Sequence, residues 1–185
     1  LYLQKVKSLS PRDAGFILVA QPIVMALFSP VTGRLSDKIQ PRYLATIGMT
    51  ICTIGLAAFA FLSETTPIAL IVVLLFWVGT GFALFSSPNM NTIMSSVQKN
   101  QLGLASGSAS TMRVVGQIVS MTIATLFFAF LFNKQAVETV ANPLFLKALR
   151  LGFITFATIS LAGIYFSFNR GKMEREHEKD VSLNG

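Results

Sequence analysis

One cysteine, one histidine and one tryptophan in 185 residues leave this chain little reactive chemistry. Cys52 has no second thiol to meet, so neither a disulfide nor a cysteine zinc site can form within the chain. His177 stands in a charged C-terminal stretch, where an imidazole is ordinarily just solvated. That inventory assembles no Ser/His/Asp relay and no metal cluster, and no glycine-rich loop followed by lysine is present to cradle a phosphate. The chain is not expected to be an enzyme, and no catalytic residue, metal or cofactor is assigned. Charge is scarce too. Asp, Glu, Lys and Arg make up 12% of the residues, about half the share of a soluble domain. The net charge of +7 is scattered over loops, segment ends and the tail. No basic face results, so nucleic acid is not an expected partner.

What is abundant is apolar length. Hydrophobic residues make up 52% of the chain, with 16 Phe among them. A bilayer core of about 30 Å is crossed by about 20 mostly apolar helical residues, and such runs recur along the sequence. Spans are expected at 14–35, 43–62, 68–97, 105–132 and 148–168, with an extracytoplasmic loop at 1–13 and a charged cytoplasmic tail at 169–185. The third span is expected to run on through Pro88 with a kink. The runs are too long for barrel strands and do not alternate with a period of two. The expected fold class is all-α, a polytopic transmembrane helical bundle with the lipid bilayer as its solvent. The opening LYLQKVKSLSPRDAG reads as the interior of a longer protein, so missing N-terminal helices are expected partners. Eight Lys and Arg flank the loops at 36–41 and 98–104 or sit in the tail, against six on the other side. That excess places the first set in the cytoplasm, for a multi-pass protein of the plasma membrane.

Between the first two spans lies GRLSDKIQPR, residues 33–42, a knot of charge in a chain that otherwise avoids it. Asp37 can accept hydrogen bonds from free N–H groups at a helix N-terminus and meets its dipole favourably. Arg34 and Asp37 are three apart and can meet on a helical turn. Gly33 lets another backbone come near, and Pro41 can open the following helix. Gly33, Arg34, Asp37 and Arg42 can therefore latch neighbouring helices at the membrane surface. The latch is breakable, because interfacial ion pairs are individually weak.

The pattern G-x-L-x-D-x-x-x-x-R between two spans resembles the signature loop of the major facilitator superfamily. YLQ at 2–4 with LSPRDAGFILVAQP looks like the loop and helix start that precede the second copy of that motif. PNMNTIMSSV and GLASGSASTMRVVGQ are similar to long helices of multidrug exporters, most of all the fourteen-span drug/proton antiporter branch. The chain departs from the commoner motif at Gln40, where Gly is usual, and at Tyr43, where a second basic residue is usual. The resemblance covers essentially residues 1–170. It implies the C-terminal part of a major facilitator fold and proton-coupled efflux of small amphipathic compounds by alternating access. It also implies that the charged loop helps to hold one conformational state. The span interiors contain no Asp or Glu, so the membrane-depth carboxylate that proton coupling needs is expected in the missing helices. A nutrient or metabolite permease of the same fold is the nearest alternative, and a non-transporting scaffold subunit a more distant one.

Other residues stand out singly. Arg113 falls roughly 12 Å along the fourth span at 1.5 Å per residue, and an arginine at the bilayer centre costs at least about 2.5 kcal/mol. It must face protein or water, as a gating or substrate partner or as a side chain snorkelling to lipid phosphates. Gln21, Asn89, Asn91 and Gln117 either line a substrate cavity or bond helix to helix. Gly103, Gly107 and Gly116 belong to a small-residue stripe suited to close helix packing, static or sliding. Phe82, Phe85 and Met90 can form an adaptable apolar pocket or simply pack.

Overall fold

The computed structural model describes residues 2–132 and 140–168, without the side chains of Asp37 and residues 166–168. The charged tail expected at 169–185 and most of the link after the fourth span lie outside the described residues. The elements are α1 (Tyr2–Lys5), α2 (Pro11–Leu18), α3 (Ala20–Lys38), α4 (Pro41–Phe59), α5 (Ile68–Ser95), α6 (Leu102–Leu131) and α7 (Asn142–Phe168). One 3-10 turn, Lys99–Gln101, leads into α6, and no strand occurs among the described residues. Among the described residues, five helical stretches are long and apolar enough to cross a membrane: Pro11–Ser36, Pro41–Phe59, Ile68–Ser95, Lys99–Leu131 and Asn142–Tyr165.

Proline sets most of these boundaries. Pro11 opens α2, where the Ser10 hydroxyl accepts from the Asp13 amide at 3.2 Å. Pro22 has no N–H to offer the Leu18 carbonyl, so the first span parts at Val19 into α2 and α3. The chain stays near helical there, with Ile23 N–H donating to Val19 at 3.1 Å. Pro88 is almost wholly buried, and α5 runs through it to Ser95. Pro41 opens α4 directly after Ile39 and Gln40, the only two residues between α3 and α4. The link is thus shorter than the six-residue loop expected at 36–41, because the residue before a proline is already pushed to extended backbone. α7 starts at Asn142 rather than near 148, with Pro143 in its first turn, where a missing N–H is no loss. Phe145, fully buried against Phe132, fixes that early start.

α5 is the central helix, with α3 and α4 packed on it and α7 packed on α4. α6 touches α5 and α7 more lightly, and Ala105 is its one buried residue. Large apolar side chains point outward, among them Leu104 at 74%, Met121 at 74% and Phe130 at 83% exposure. Such a surface suits hydrocarbon, in which only helices and closed barrels satisfy their own backbones. Lipid offers no hydrophobic drive between helices, so close approach and buried hydrogen bonds must hold them together. Thr53 and Ser160 hydroxyls meet at 2.7 Å between α4 and α7. Trp77 donates its ring N–H to the Ile51 carbonyl at 3.1 Å between α5 and α4.

Candidate functional site

Two regions at opposite ends of the bundle carry polar chemistry. At the end holding the α3–α4 turn, three hydrogen bonds tie α3 to α5. The buried Thr32 hydroxyl donates to the Ala83 carbonyl at 3.1 Å. Ser87 donates to the Ser29 carbonyl at 3.3 Å, and Asn91 donates its amide to the Ser36 hydroxyl at 2.7 Å. Gly33 faces this seam, since a Cβ there would stand 3.2 Å from the Ser87 hydroxyl. The short turn leaves Gly33, Arg34 and Asp37 on the last turns of α3 and Arg42 on the first turn of α4. The Asp37 side chain lies outside the described residues.

Arg42 is half-buried and is held by its neighbour. Its Nη2 donates to the Tyr43 hydroxyl at 2.8 Å, and its guanidinium carbon lies 4.6 Å from the Tyr43 ring centroid. Its buried Nε finds no acceptor among the described residues. Arg34 is exposed. Tyr43, which replaces the second basic residue of the commoner motif, therefore supplies a stacking platform and an acceptor in place of a charge.

At the other end, the α1 segment closes over the helix tips. The Tyr2 hydroxyl donates to the Ser63 carbonyl at 2.6 Å, and Lys7 Nζ donates to the Glu64 carbonyl. Burial pushes the Tyr2 phenol above its usual value; a Thr66 hydrogen bond opposes this and the Glu64 charge adds to it, so Tyr2 remains a donor at neutral pH. Beneath the segment lies a cavity of about 670 Å³ between α2–α3, α4, α5, α6 and α7. Its wall is largely apolar, with Phe59, Phe82, Phe127, Phe153 and Phe156 among aliphatic side chains, and Gln4 and Gln21 also line it. A space of this size, apolar with a few polar groups, is the ordinary form of a small-molecule site.

The structure separates the residues that the sequence singled out. Gln21 lines the cavity, as does Phe82. Asn91 bonds across to α3, and Asn89 is half-buried on α5. Arg113 and Gln117 are exposed on α6, away from the cavity wall. A Cβ on Gly103, Gly107 or Gly116 would meet nothing within 4 Å among the described residues. Sequence reasoning passed over Tyr2, Gln4 and, apart from Phe82, the aromatic side chains of the wall, which are far apart in the chain. It also passed over Gly48 and Gly55 on α4, whose seven-residue spacing marks a close-contact face in the same way as the α6 stripe.

Residues 1–121 match the Major Facilitator Superfamily. The chain belongs to that family. It is 34% identical to the riboflavin transporter RibZ of Clostridioides difficile over 134 residues, 72% of this chain and 28% of that protein. It is 28% identical over 182 residues to the uncharacterized MFS-type transporter YcnB of Bacillus subtilis, 97% of this chain and 38% of that protein. It is 30% identical over 122 residues to the multidrug resistance protein Stp of Mycobacterium tuberculosis, 66% of this chain and 22% of that protein. The chain thus spans well under half the length of these relatives. No solved structure matches it significantly.

Proposed function

We propose that this chain supplies five membrane helices of a transporter that expels small amphipathic compounds in exchange for protons by alternating access. The cavity carries this reading: about 670 Å³, lined mostly by apolar residues, with several phenyl rings and two glutamines among them. Such a lining favours flat apolar bodies with few polar groups. The names of RibZ and Stp support a small organic cargo. The turn end faces the cytoplasm of a plasma-membrane protein, on the strength of its excess of basic residues. There Gly33, Arg34, Asp37 and Arg42 latch α3 to α4 in one state of the cycle, and the bonds from α5 brace α3 behind them. The exposed α6 stripe at Gly103, Gly107 and Gly116, with Arg113 and Gln117, faces the remainder of the protein. That remainder supplies the proton-carrying carboxylate.

Uptake of a nutrient is the second reading, favoured by the similarity to RibZ. Both are tested in cells expressing the full-length protein and loaded with a fluorescent amphipathic dye. Efflux predicts lower dye retention, restored by a protonophore. Asp37→Asn should abolish that difference at unchanged expression; full transport by this variant would remove the latch from the mechanism. Dye retention that ignores the protein, together with riboflavin accumulation, would favour uptake.

A further inference from the structure

We infer that the cavity selects an uncharged, flat aromatic compound with a hydrogen-bond donor and acceptor side by side, as in a cyclic amide or imide. The inference rests on the cavity being the cargo site of the proposed transporter, and it names what the cargo carries. Charge is the first observation. No Asp, Glu, Lys, Arg or His lines the cavity among the described residues. The charged side chains beside the wall in sequence are held elsewhere. Lys7 donates to the Glu64 carbonyl, and Lys5 lies over the Phe145 ring. Arg12 lies over the Phe16 ring, Arg150 lies over the Phe61 ring, and Ser10 donates to Asp13 at 2.7 Å. Lys147 is exposed and is not a lining residue. A charged cargo would lose its water here without meeting a partner.

Two polar groups on the wall are the second observation. Gln21 is half-buried and lines the cavity, and its side chain makes no hydrogen bond among the described residues. Leu18, about one turn earlier, lines it too, and Pro22 leaves the Leu18 carbonyl without the N–H that a helix would send it. A side-chain amide, which donates and accepts, thus sits near a carbonyl that can only accept. A cyclic amide or imide is the matching edge: its carbonyl accepts from Gln21 and its N–H donates to Leu18. The start of α3 is packed tightly enough to keep these groups in place. Val24 is 1% exposed, and a Cβ on Gly79 of α5 would lie 2.8 Å from the Gln21 carbonyl oxygen and 3.2 Å from the Val24 Cβ. The apolar lining suits a flat ring body. Phe59 and Phe153 stack with centroids 5.5 Å apart, and Phe82 joins the wall from α5. Aromatic faces take up a planar ligand by offset stacking.

The test is equilibrium binding to full-length protein purified in detergent, with protein-free micelles as the blank. The probes are naphthalimide, its N-methyl derivative and the flat cation ethidium. Naphthalimide should bind about fivefold more tightly than the N-methyl imide, the scale of one hydrogen bond. Ethidium should bind more weakly than either. Gln21→Leu should weaken both imides about fivefold at an unchanged unfolding midpoint. Pro22→Ala gives the Leu18 carbonyl an N–H, so it should bring the two imides to equal affinity. Phe153→Ala, in the apolar wall, should weaken every probe. Equal binding of the two imides by the parent would overturn the inference, and so would equal shifts of all three probes in Gln21→Leu and Pro22→Ala. Tightest binding of ethidium, still weakened by Phe153→Ala, would overturn it and leave the cavity as the cargo site. Binding that no cavity variant alters would place the cargo elsewhere and remove the reading beneath it as well.

Discussion

Gly48 of α4 and Gly81 of α5 face each other where the two helices pack closely. A Cβ on Gly48 would lie 2.7 Å from the Gly81 carbonyl oxygen, and one on Gly81 would lie 2.9 Å from the Gly48 carbonyl oxygen. Each glycine thus makes room for the other's backbone, which side-chain repacking cannot replace. Gly48→Ala and Gly81→Ala should each cost about 1–3 kcal/mol, the usual scale of overpacking. Thermal unfolding of the detergent-purified full-length protein measures this, and an unchanged midpoint would show that the helices separate at no cost.

The α6 glycines should behave differently. A side chain at Gly107 or Gly116 meets open space within the described residues, so Gly116→Leu should leave the helical circular dichroism of the 185-residue chain intact. In the full-length protein the same change should lower the yield of folded material, if α6 packs there against the remaining helices. Equal yields would mean that this face lies against lipid.

The Asn91–Ser36 bond makes a sharper prediction at the turn end. Ser36 is buried, and its hydroxyl also donates to the Gly33 carbonyl at 2.7 Å. Asn91→Leu should cost about 1 kcal/mol, the net worth of one hydrogen bond. The double variant with Ser36→Ala should cost less than the sum of the two singles, because the partners share one interaction. Additive losses in unfolding midpoints would show that the amide and hydroxyl act separately.

Arg42 and Tyr43 divide the turn's remaining energy between stacking and a hydrogen bond. Tyr43→Phe removes only the hydroxyl acceptor; Tyr43→Ala also removes the ring, for a further loss of about 0.5–1 kcal/mol. Arg42→Lys keeps the charge but lacks the flat fork that lies on the ring, so it should resemble Tyr43→Ala more than the parent. Unfolding midpoints of the three variants give the order. A lysine variant as stable as the parent would reduce Arg42 to a point charge.

Much of this architecture is legible in the linear chain because lipid is an unforgiving solvent. Long apolar runs between polar breaks mark the five spans, and Pro11, Pro41 and Pro143 mark three of the starts. The G-x-L-x-D-x-x-x-x-R pattern, read at 33–42, pointed to the family that residues 1–121 match. The break at Val19 was harder to see, since it follows from Pro22 three residues later and leaves the chain nearly helical. The early start of α7 was hidden for another reason. It depends on Phe145 finding Phe132 and Phe128, a contact with another helix and not a property of the local sequence.

The cavity shows the same division. Gln21 could be named from its type and depth, but nothing near it in sequence says that Tyr2, Phe127 and Phe153 share its space. Of the glycines on α6 and α4, a Cβ would meet a neighbour only at those on α4 among the described residues. By itself the sequence determined the solvent, the number of crossings and the place of the charged turn, because hydropathy and proline act locally along the chain. Only the tertiary structure decided which glycines touch, which side chains line a cavity and that α1 joins its wall. Those outcomes depend on helix rotation and crossing, and apolar composition constrains neither when every face of a helix is welcome in lipid.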